Sequence, residues 1–136
     1  MEKSDKERVK SKNPSFHEDE NPHKLGKTGE EVALRYLLEK KYKIVTRNFR
    51  FYRGEIDIVA YDGPTLVFVE VKTRRSEDFG FPEESVDFAK QKQIRKIAAG
   101  YLAKTKLRDV ECRFDVISLS FHENGDWDVK HIKNAF

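Results

Sequence analysis

The sequence predicts an α/β domain in which helices pack on the faces of a mixed β-sheet. Apolar residues recur at helical spacing in two stretches, about 28–40 and about 83–104. Further stretches rich in Val, Ile, Phe and Tyr, bounded by turn residues, are typical of strands: 43–51, 54–61, 65–74, 111–121 and 127–132. The expected order of elements is therefore α-β-β-β-α-β-β.

Length and composition exclude several classes of protein. The chain has 136 residues and a single cysteine, Cys112, which cannot pair within the chain. No apolar run approaches the roughly 18 residues of a membrane-spanning helix. The first 24 residues contain no apolar signal-peptide core. We therefore expect a cytoplasmic protein with no membrane partner.

The domain boundary is expected near residue 25. Residues 1–24 carry six basic and six acidic side chains and few apolar ones. Such a segment cannot bury enough surface to offset the entropy of ordering, so it predicts a disordered charged tail. Residues 25–136 are expected to form one domain, whose first helix begins near Thr28, a favoured N-cap residue.

Basic residues are clustered although the net charge is only +3. Seven of them lie in 90–108 without any acid, and Arg47, Arg50 and Arg53 form a second group. Clustered cations on a balanced chain are typical of proteins that bind a polyanion such as nucleic acid. A solubilising helix face explains the same pattern, so charge alone leaves both interpretations open.

The hairpin 53–74, RGEIDIVAYDGPTLVFVEVKTR, contains the residues that suggest chemistry. A turn at residues 62–65 places Tyr61 opposite Leu66. Because side chains alternate along each strand, Asp57 then faces Glu70 directly. Like charges at opposite positions destabilise a strand pair, so these carboxylates need a compensating cation. Dense oxygen ligands suit Mg²⁺, which carboxylates, water and substrate phosphate commonly hold together.

Glu55 and Lys72 are expected opposite each other on the same face. In the functional interpretation, Lys72 stabilises charge on a phosphate or holds an attacking water. In the structural alternative, Glu55 and Lys72 form a surface ion pair while Asp57 and Glu70 are merely solvated. The short spacing, the shared face and the apolar flanks favour the functional interpretation.

The spacing of Asp57 and the triplet Glu70-Val71-Lys72 resembles the catalytic core of the PD-(D/E)xK nuclease superfamily. More narrowly, GEIDIVAYDG and LVFVEVKTR, with Gly29-Glu30 upstream and the tetrapeptide RFDV at 113–116, resemble the UPF0102 family. That family, also called the YraN family, is similar to archaeal Holliday-junction resolvases. The similarity runs from about Gly26 to Phe136, and it implies a restriction-endonuclease-like core.

The resemblance implies a Mg²⁺- or Mn²⁺-dependent endonuclease. Asp57 and Glu70 would be metal ligands, the Val71 carbonyl a further ligand, and Lys72 the catalytic lysine. DNA is the expected partner in preference to RNA, and resolvase-like action on branched DNA would need two active sites and hence a homodimer. The alternative is a non-catalytic nucleic-acid-binding module with the same fold.

Resolvase-like relatives also place a glutamate on the first helix, where Glu30 and Glu31 are adjacent. Glu30 stands three and four residues before Ala33 and Leu34, at the spacing of the apolar face. We therefore expect Glu30, which shares that face, to serve the site. The helix dipole favours an acid in the first turn and explains either residue without a function.

Several basic residues are candidates for phosphate contacts, which position a nucleic acid without reading its sequence. They are Arg47, Arg53, Arg74 and Lys90. Lys90 lies within the apolar stripe of the second helix, so it either reaches the site or a phosphate, or extends past the edge of the core.

The aromatic side chains of Phe49, Phe51 and Tyr52 lie among the arginines. They could stack on bases. Packing against the sheet is the favoured interpretation for all three.

Overall fold

The computed structural model describes residues 3–10, 22–75 and 86–136. Within them lie two helices and a six-stranded sheet in the order β1-β6-β5-β4-β3-β2. The elements are β1 (Lys3–Val9), α1 (Pro22–Glu39), β2 (Lys43–Phe51), β3 (Gly54–Asp62), β4 (Thr65–Arg75), α2 (Phe88–Thr105), β5 (Cys112–Phe121) and β6 (Trp127–Lys133). The predicted α/β class with a mixed sheet is confirmed.

The sheet is mixed because β4 and β5 run parallel, whereas every other neighbouring pair is antiparallel. Parallel neighbours need a crossover connection, and α2 lies between these two strands in the chain. The β3–β4 hairpin has the predicted register, with Tyr61 opposite Leu66 and Ile58 opposite Val69. The turn glycine, Gly63, has a φ of 59°, a conformation that glycine adopts at little cost.

Two apolar cores lie on opposite faces of the sheet. One joins α1 to the side chains of Val67 and Val69, and the other joins α2 to Phe68. Side chains therefore alternate along β4 as expected for a central strand. Among the described residues, no helix is long and apolar enough to cross a membrane.

Helix α1 begins at Pro22, about two turns before the expected start at Thr28. Proline fits the first position of a helix, and the buried stripe already starts at Leu25. Thr28 is thus an internal helical residue rather than an N-cap. Leu38 falls at the helical spacing of the apolar residues in α1, but its side chain is 51% exposed.

Helix α2 begins at Phe88, and the expected earlier start lies partly outside the described residues. Asp87 caps it, since its side chain accepts a hydrogen bond of 2.8 Å from the backbone N–H of Lys90. The helix ends at Thr105, where Lys106 takes a left-handed conformation with a φ of 60°.

Strand β1 differs from the disordered tail expected for residues 1–24. It pairs antiparallel with β6 along its whole length and covers the edge of that strand. Charged side chains of β1 form ion pairs with other elements: Glu7 pairs with Lys40 at 2.9 Å, and Arg8 pairs with Asp128. Composition missed this strand because backbone pairing and ion pairs, rather than apolar burial, hold it. Residues 1–2 and 11–21 of the expected tail lie outside the described residues, and 22–24 belong to α1.

Candidate metal centre

The strands β3 and β4 separate beside Asp57. Their pairing ends at Ile58 and Val69, one residue short of the expected pair between Asp57 and Glu70. Asp57 Oδ2 instead accepts a hydrogen bond of 2.8 Å from the backbone N–H of Val71. Ile56 and Ile58, two residues apart, belong to cores on opposite faces, so side-chain alternation breaks at Asp57. This break brings the Asp57 carboxylate within reach of groups on both sides of the sheet.

Three carboxylates meet at this opening, and we call Glu30, Glu55 and Asp57 the acidic cluster. Each contributes an oxygen, and these oxygens lie within 4.8 Å of one another. Oxygens on opposite sides of a Mg²⁺ ion are about 4.2 Å apart, twice the usual metal–oxygen distance. Hard oxygen donors at this separation fit Mg²⁺ or Mn²⁺ after a small contraction.

Glu30 of helix α1 lies in the acidic cluster because the helix packs close to β4. A Cβ atom on Gly29 would come within 2.3 Å of the Thr73 hydroxyl, so only glycine permits this approach. The next residue, Glu31, forms an ion pair of 2.5 Å with Arg47. The structure thus places Glu30 with the other carboxylates and Glu31 with a cation.

Glu70 borders the acidic cluster from the side of α2. Its neighbours in β4 follow the alternation that points Glu70 towards that helix. Burial raises the pKa of Glu70, while Lys90, a hydrogen bond with Asp57 and then Lys72 oppose the rise. Lys90 from α2 and Lys72 from β4 therefore act on the same carboxyl group.

The raised pKa of Asp57 indicates that too little positive charge lies near its carboxylate. Burial, and then the neighbouring charge of Glu70, raise the pKa of Asp57 to about 8, although the N–H of Val71 opposes this. The metal-free protein therefore holds a proton among these carboxyl groups near neutral pH. Bound cations displace such protons, since ligands must be deprotonated to bind.

Asn48, which the sequence analysis overlooked, connects two members of the acidic cluster. Its Nδ2 donates to Glu30 Oε1 at 2.9 Å and to Glu55 Oε1 at 3.0 Å. Asn48 interrupts β2 with a φ of 52°, a left-handed conformation that asparagine tolerates. Glu55 also accepts a hydrogen bond of 3.2 Å from Arg50. An asparagine within a strand pattern is the one signal that could have identified this residue.

The acidic cluster opens into a cleft of about 770 Å³ between the start of α1 and β2. Glu30, Asn48 and Glu55 line its acidic side. Basic side chains also line it, namely Lys24, Lys27, Arg47 and Arg50. The cleft therefore combines carboxylates that suit a cation with cations that suit an anion.

The remaining candidate residues lie in different environments. Arg53 is exposed in the β2–β3 turn, Lys90 is exposed on α2, and Arg74 is half-buried at the end of β4. Phe49 packs edge-on against Tyr101, with ring centroids 5.1 Å apart.

Phe51 and Tyr52 differ in their packing. A Cβ atom on Gly100 would lie 2.7 Å from the ring of Phe51, so that ring packs closely on α2. Packing is thus confirmed for Phe49 and Phe51, whereas Tyr52 is 85% exposed.

A second set of hydrogen-bonded polar side chains, separate from the acidic cluster, lies in the sheet. We call Arg113, Asp115 and His131 the buried polar network. Asp115 accepts hydrogen bonds from Arg113 at 2.9 Å, from His131 at 2.7 Å and from the backbone of Asn134 at 3.0 Å. Burial alone would raise the pKa of Asp115, but the bonds from His131 and Arg113 lower it overall.

The outer atoms of this network reach other elements. Arg113 also donates to Asp62 and to the Tyr42 hydroxyl, each at 2.9 Å. His131, which is fully buried, contacts the Tyr36 hydroxyl at 3.2 Å. These contacts give His131 a structural role.

Fold and site together define a class: an α/β protein whose central hairpin opens around clustered carboxylates, consistent with the PD-(D/E)xK superfamily. The family model described as "Uncharacterised protein family UPF0102" matches residues 29–119. The chain belongs to this family.

Relatives of the same family cover most of the chain. A UPF0102 protein of Chlorobaculum tepidum is 51% identical over 120 residues, which cover 85% of this chain and 93% of the relative. A UPF0102 protein of Geotalea uraniireducens is 51% identical over 112 residues, covering 82% and 88%. One from Geobacter sulfurreducens is 48% identical with the same coverage.

Proposed function

We propose that this protein is a metal-dependent endonuclease that hydrolyses phosphodiester bonds in DNA, with branched DNA as the preferred substrate. The observation that carries the proposal is the acidic cluster, whose oxygens lie within 4.8 Å of one another beside Glu70. The resemblance to resolvase-like nucleases supplies the substrate class.

The donor set fits Mg²⁺ or Mn²⁺. Asp57 and Glu70, with the Val71 carbonyl, are the ligands that the resemblance implies, and Glu30 and Glu55 lie close enough to Asp57 to join them. A bound divalent cation would polarise the scissile phosphate and lower the pKa of a bound water. Asn48 would hold Glu30 and Glu55 in place through its two hydrogen bonds.

The lysines beside Glu70 would act on the substrate phosphate. Lys72 and Lys90 both lower the pKa of Glu70, so their charges lie near it. In this proposal Lys72 stabilises charge that develops on the phosphate, a contribution that is large in a partly buried site. Arg47, Arg53 and Arg74 would contact neighbouring phosphates.

A cleavage assay tests the proposal. Purified protein would be incubated with single-stranded, duplex, flapped and four-way-junction DNA, and with RNA, in Mg²⁺, Mn²⁺ or EDTA. We expect cleavage that needs metal and is fastest on branched DNA. Cleavage should disappear in Asp57→Asn and Glu70→Gln because both remove a ligand carboxylate.

Glu30→Gln and Glu31→Gln form a matched pair, since they make the same chemical change at adjacent positions. Only Glu30→Gln should impair cleavage, because Glu31 is paired with Arg47. Absence of cleavage on every substrate would refute the nuclease proposal. If salt-sensitive DNA binding persisted, that result would favour the non-catalytic binding module. Sedimentation with a four-way junction would test the homodimer.

A further inference from the structure

The β2–β3 turn presents an aromatic ring to solvent. Tyr52 is 85% exposed, more than the other exposed large apolar residues of the described chain, Leu38, Val45 and Phe88. Its neighbour Phe51 is packed on α2, so the turn itself is anchored. The exposed ring is therefore held on a supported turn.

The conformation of Tyr52 is unusual for its residue type. Its φ is 55°, in the left-handed region that favours glycine or asparagine. The ring of Phe51 meets that of Tyr52 edge-on, with centroids 4.6 Å apart. The strained backbone and the aromatic neighbour together direct the ring outward rather than into the core.

One cation lies near the exposed ring, and two more are close to it in the chain. Lys96 Nζ lies 5.5 Å from the ring centroid of Tyr52, and Arg53 is the next residue in the chain. The side chain of Arg50, which lines the cleft, is 81% exposed. An aromatic face among cations has the composition of a surface that stacks a base and neutralises its phosphates.

The turn also lies close to the acidic cluster in the chain. Tyr52 lies in the turn, three residues before Glu55 and five before Asp57, both of which are in β3. At about 3.3 Å per extended residue, Asp57 is at most roughly 16 Å from Tyr52, the length of about five stacked bases. A DNA strand bound at the acidic cluster can therefore reach Tyr52 in the turn.

We propose that Tyr52 is a binding residue that stacks on an unpaired base of a DNA strand, while Arg53 and Lys96 hold the adjacent phosphates. Bases inside a continuous duplex are already stacked on each other, so this contact selects single-stranded segments and branch points. The inference rests on the proposed function for its substrate class. It deepens that function by assigning the preference for unpaired DNA to one side chain.

Binding would be measured in EDTA, so that cleavage plays no part in the result. The probes are a fluorescein-labelled single strand of 12 nucleotides, the matching duplex, and the same single strand containing 2-aminopurine. Stacking quenches 2-aminopurine, so quenching reports the contact directly. Tyr52→Ala should weaken single-strand affinity about 5- to 150-fold, the range for losing one stacked base. It should also abolish the added quenching and leave duplex affinity unchanged within about twofold.

Two further variants sharpen the test. Tyr52→Phe keeps the aromatic face and should bind like the wild type. Phe88→Ala is the matched control, because Phe88 is also exposed, at 72%, and Lys92 lies 5.6 Å from its ring centroid. Its single-strand binding should stay unchanged. Thermal unfolding, followed by the buried Trp127, should show that every variant is folded.

Three results would overturn the inference. The first is a Tyr52→Ala variant that binds single-stranded DNA as tightly as the wild type. The second is an equal loss of affinity for single strand and duplex in Tyr52→Ala. The third is a loss of single-strand affinity in Phe88→Ala as large as that in Tyr52→Ala. Wild-type protein that binds no single strand in EDTA would refute this inference, and it would refute the proposed function as well if no substrate is cleaved with metal. Metal-dependent cleavage with unchanged binding in Tyr52→Ala would refute this inference alone. The expected binding pattern without cleavage would refute the nuclease alone.

Discussion

The acidic cluster and the buried polar network shift the pKa of a buried aspartate in opposite directions. Asp115 is surrounded by donors from Arg113, His131 and the backbone, and these lower its pKa. Asp57 receives one backbone hydrogen bond but faces other carboxyl groups, and its pKa is raised to about 8. Both aspartates lie in the same sheet, so their different partners rather than their fold account for the contrast.

This contrast separates a structural carboxylate from one suited to bind a ligand. A buried charge stabilises a fold only when it is paired and hydrogen-bonded, as in the network. The acidic cluster meets this condition poorly, since Asn48 and Arg50 supply few donors for its carboxylates. A divalent cation would supply the missing positive charge. The buried polar network is therefore assigned a structural role, and the acidic cluster is the proposed metal site.

The largest effect on stability should come from breaking the network. Asp115→Ala leaves the fully buried His131 without its carboxylate partner and removes one of the acceptors of Arg113, so it should lower the free energy of unfolding by about 3–5 kcal/mol. Urea unfolding followed by Trp127 fluorescence measures this. By contrast, Asp57→Asn should not destabilise the metal-free protein. A loss below about 1 kcal/mol in Asp115→Ala would contradict the structural role of the network.

The pH dependence of stability should also differ between the two aspartates. The pKa of Asp57 is raised in the folded state, so its ionisation destabilises the metal-free fold as pH rises from about 4 to about 8. The pKa of Asp115 is lowered, so its contribution is present above its unfolded value and is lost as pH falls through the folded one.

Metal-free protein should therefore become less stable between pH 5 and pH 8. The slope should be no more than about 1.4 kcal/mol per pH unit for each proton involved. Asp57→Asn should flatten this slope, and Mg²⁺ should oppose it by binding the ionised form. Unfolding curves at several pH values, with EDTA or Mg²⁺, check both statements. A slope that survives in Asp57→Asn would assign the effect to other groups.

A smaller effect is expected from Asn48, which orients two carboxylates without being a ligand in this account. Asn48→Gly keeps the left-handed backbone accessible and removes the amide. Loss of such an orienting partner should weaken Mn²⁺ affinity about 10- to 100-fold. Calorimetric titration with Mn²⁺ measures this, and Asn124→Gly in the β5–β6 turn serves as a control for asparagine loss. Unchanged affinity in Asn48→Gly would remove Asn48 from the site.

The smallest effect should come from the edge of the sheet, where β1 pairs with β6. Glu7→Gln removes the ion pair with Lys40, and partly exposed pairs contribute at most about 1 kcal/mol. A thermal unfolding scan at low and high salt should show a small loss that salt suppresses. A larger loss would mean that β1 depends on this pair more than on its backbone pairing.

Local sequence patterns predicted the features of the fold that depend on residues close together in the chain. Strand β2 has the predicted bounds, and the pairing of Tyr61 with Leu66 follows from the turn and the alternation. Strand β1 could not be predicted in this way, because its stability depends on pairing with β6, more than 100 residues away. Its composition alone resembles that of a disordered segment.

The site was predicted in part for the same reason. Asp57 and Glu70 were identified from their spacing, and Glu30 from helical periodicity together with the resemblance. The break in alternation at Asp57 was not predictable, because it arises where two strands separate. Glu55 was expected on the face of Asp57, but the contacts of Asn48 with Glu30 and Glu55 join different elements, which a one-dimensional pattern does not contain.

The central claim is that the acidic cluster binds a divalent cation, and calorimetric titration with Mn²⁺ tests it most directly. Titrations at pH 7 in two buffers of different ionisation enthalpy would report both affinity and proton release. We predict saturable binding with release of protons, which is lost in Asp57→Asn and retained in Glu31→Gln. Absence of binding, or equal binding in Asp57→Asn and the wild type, would contradict the claim.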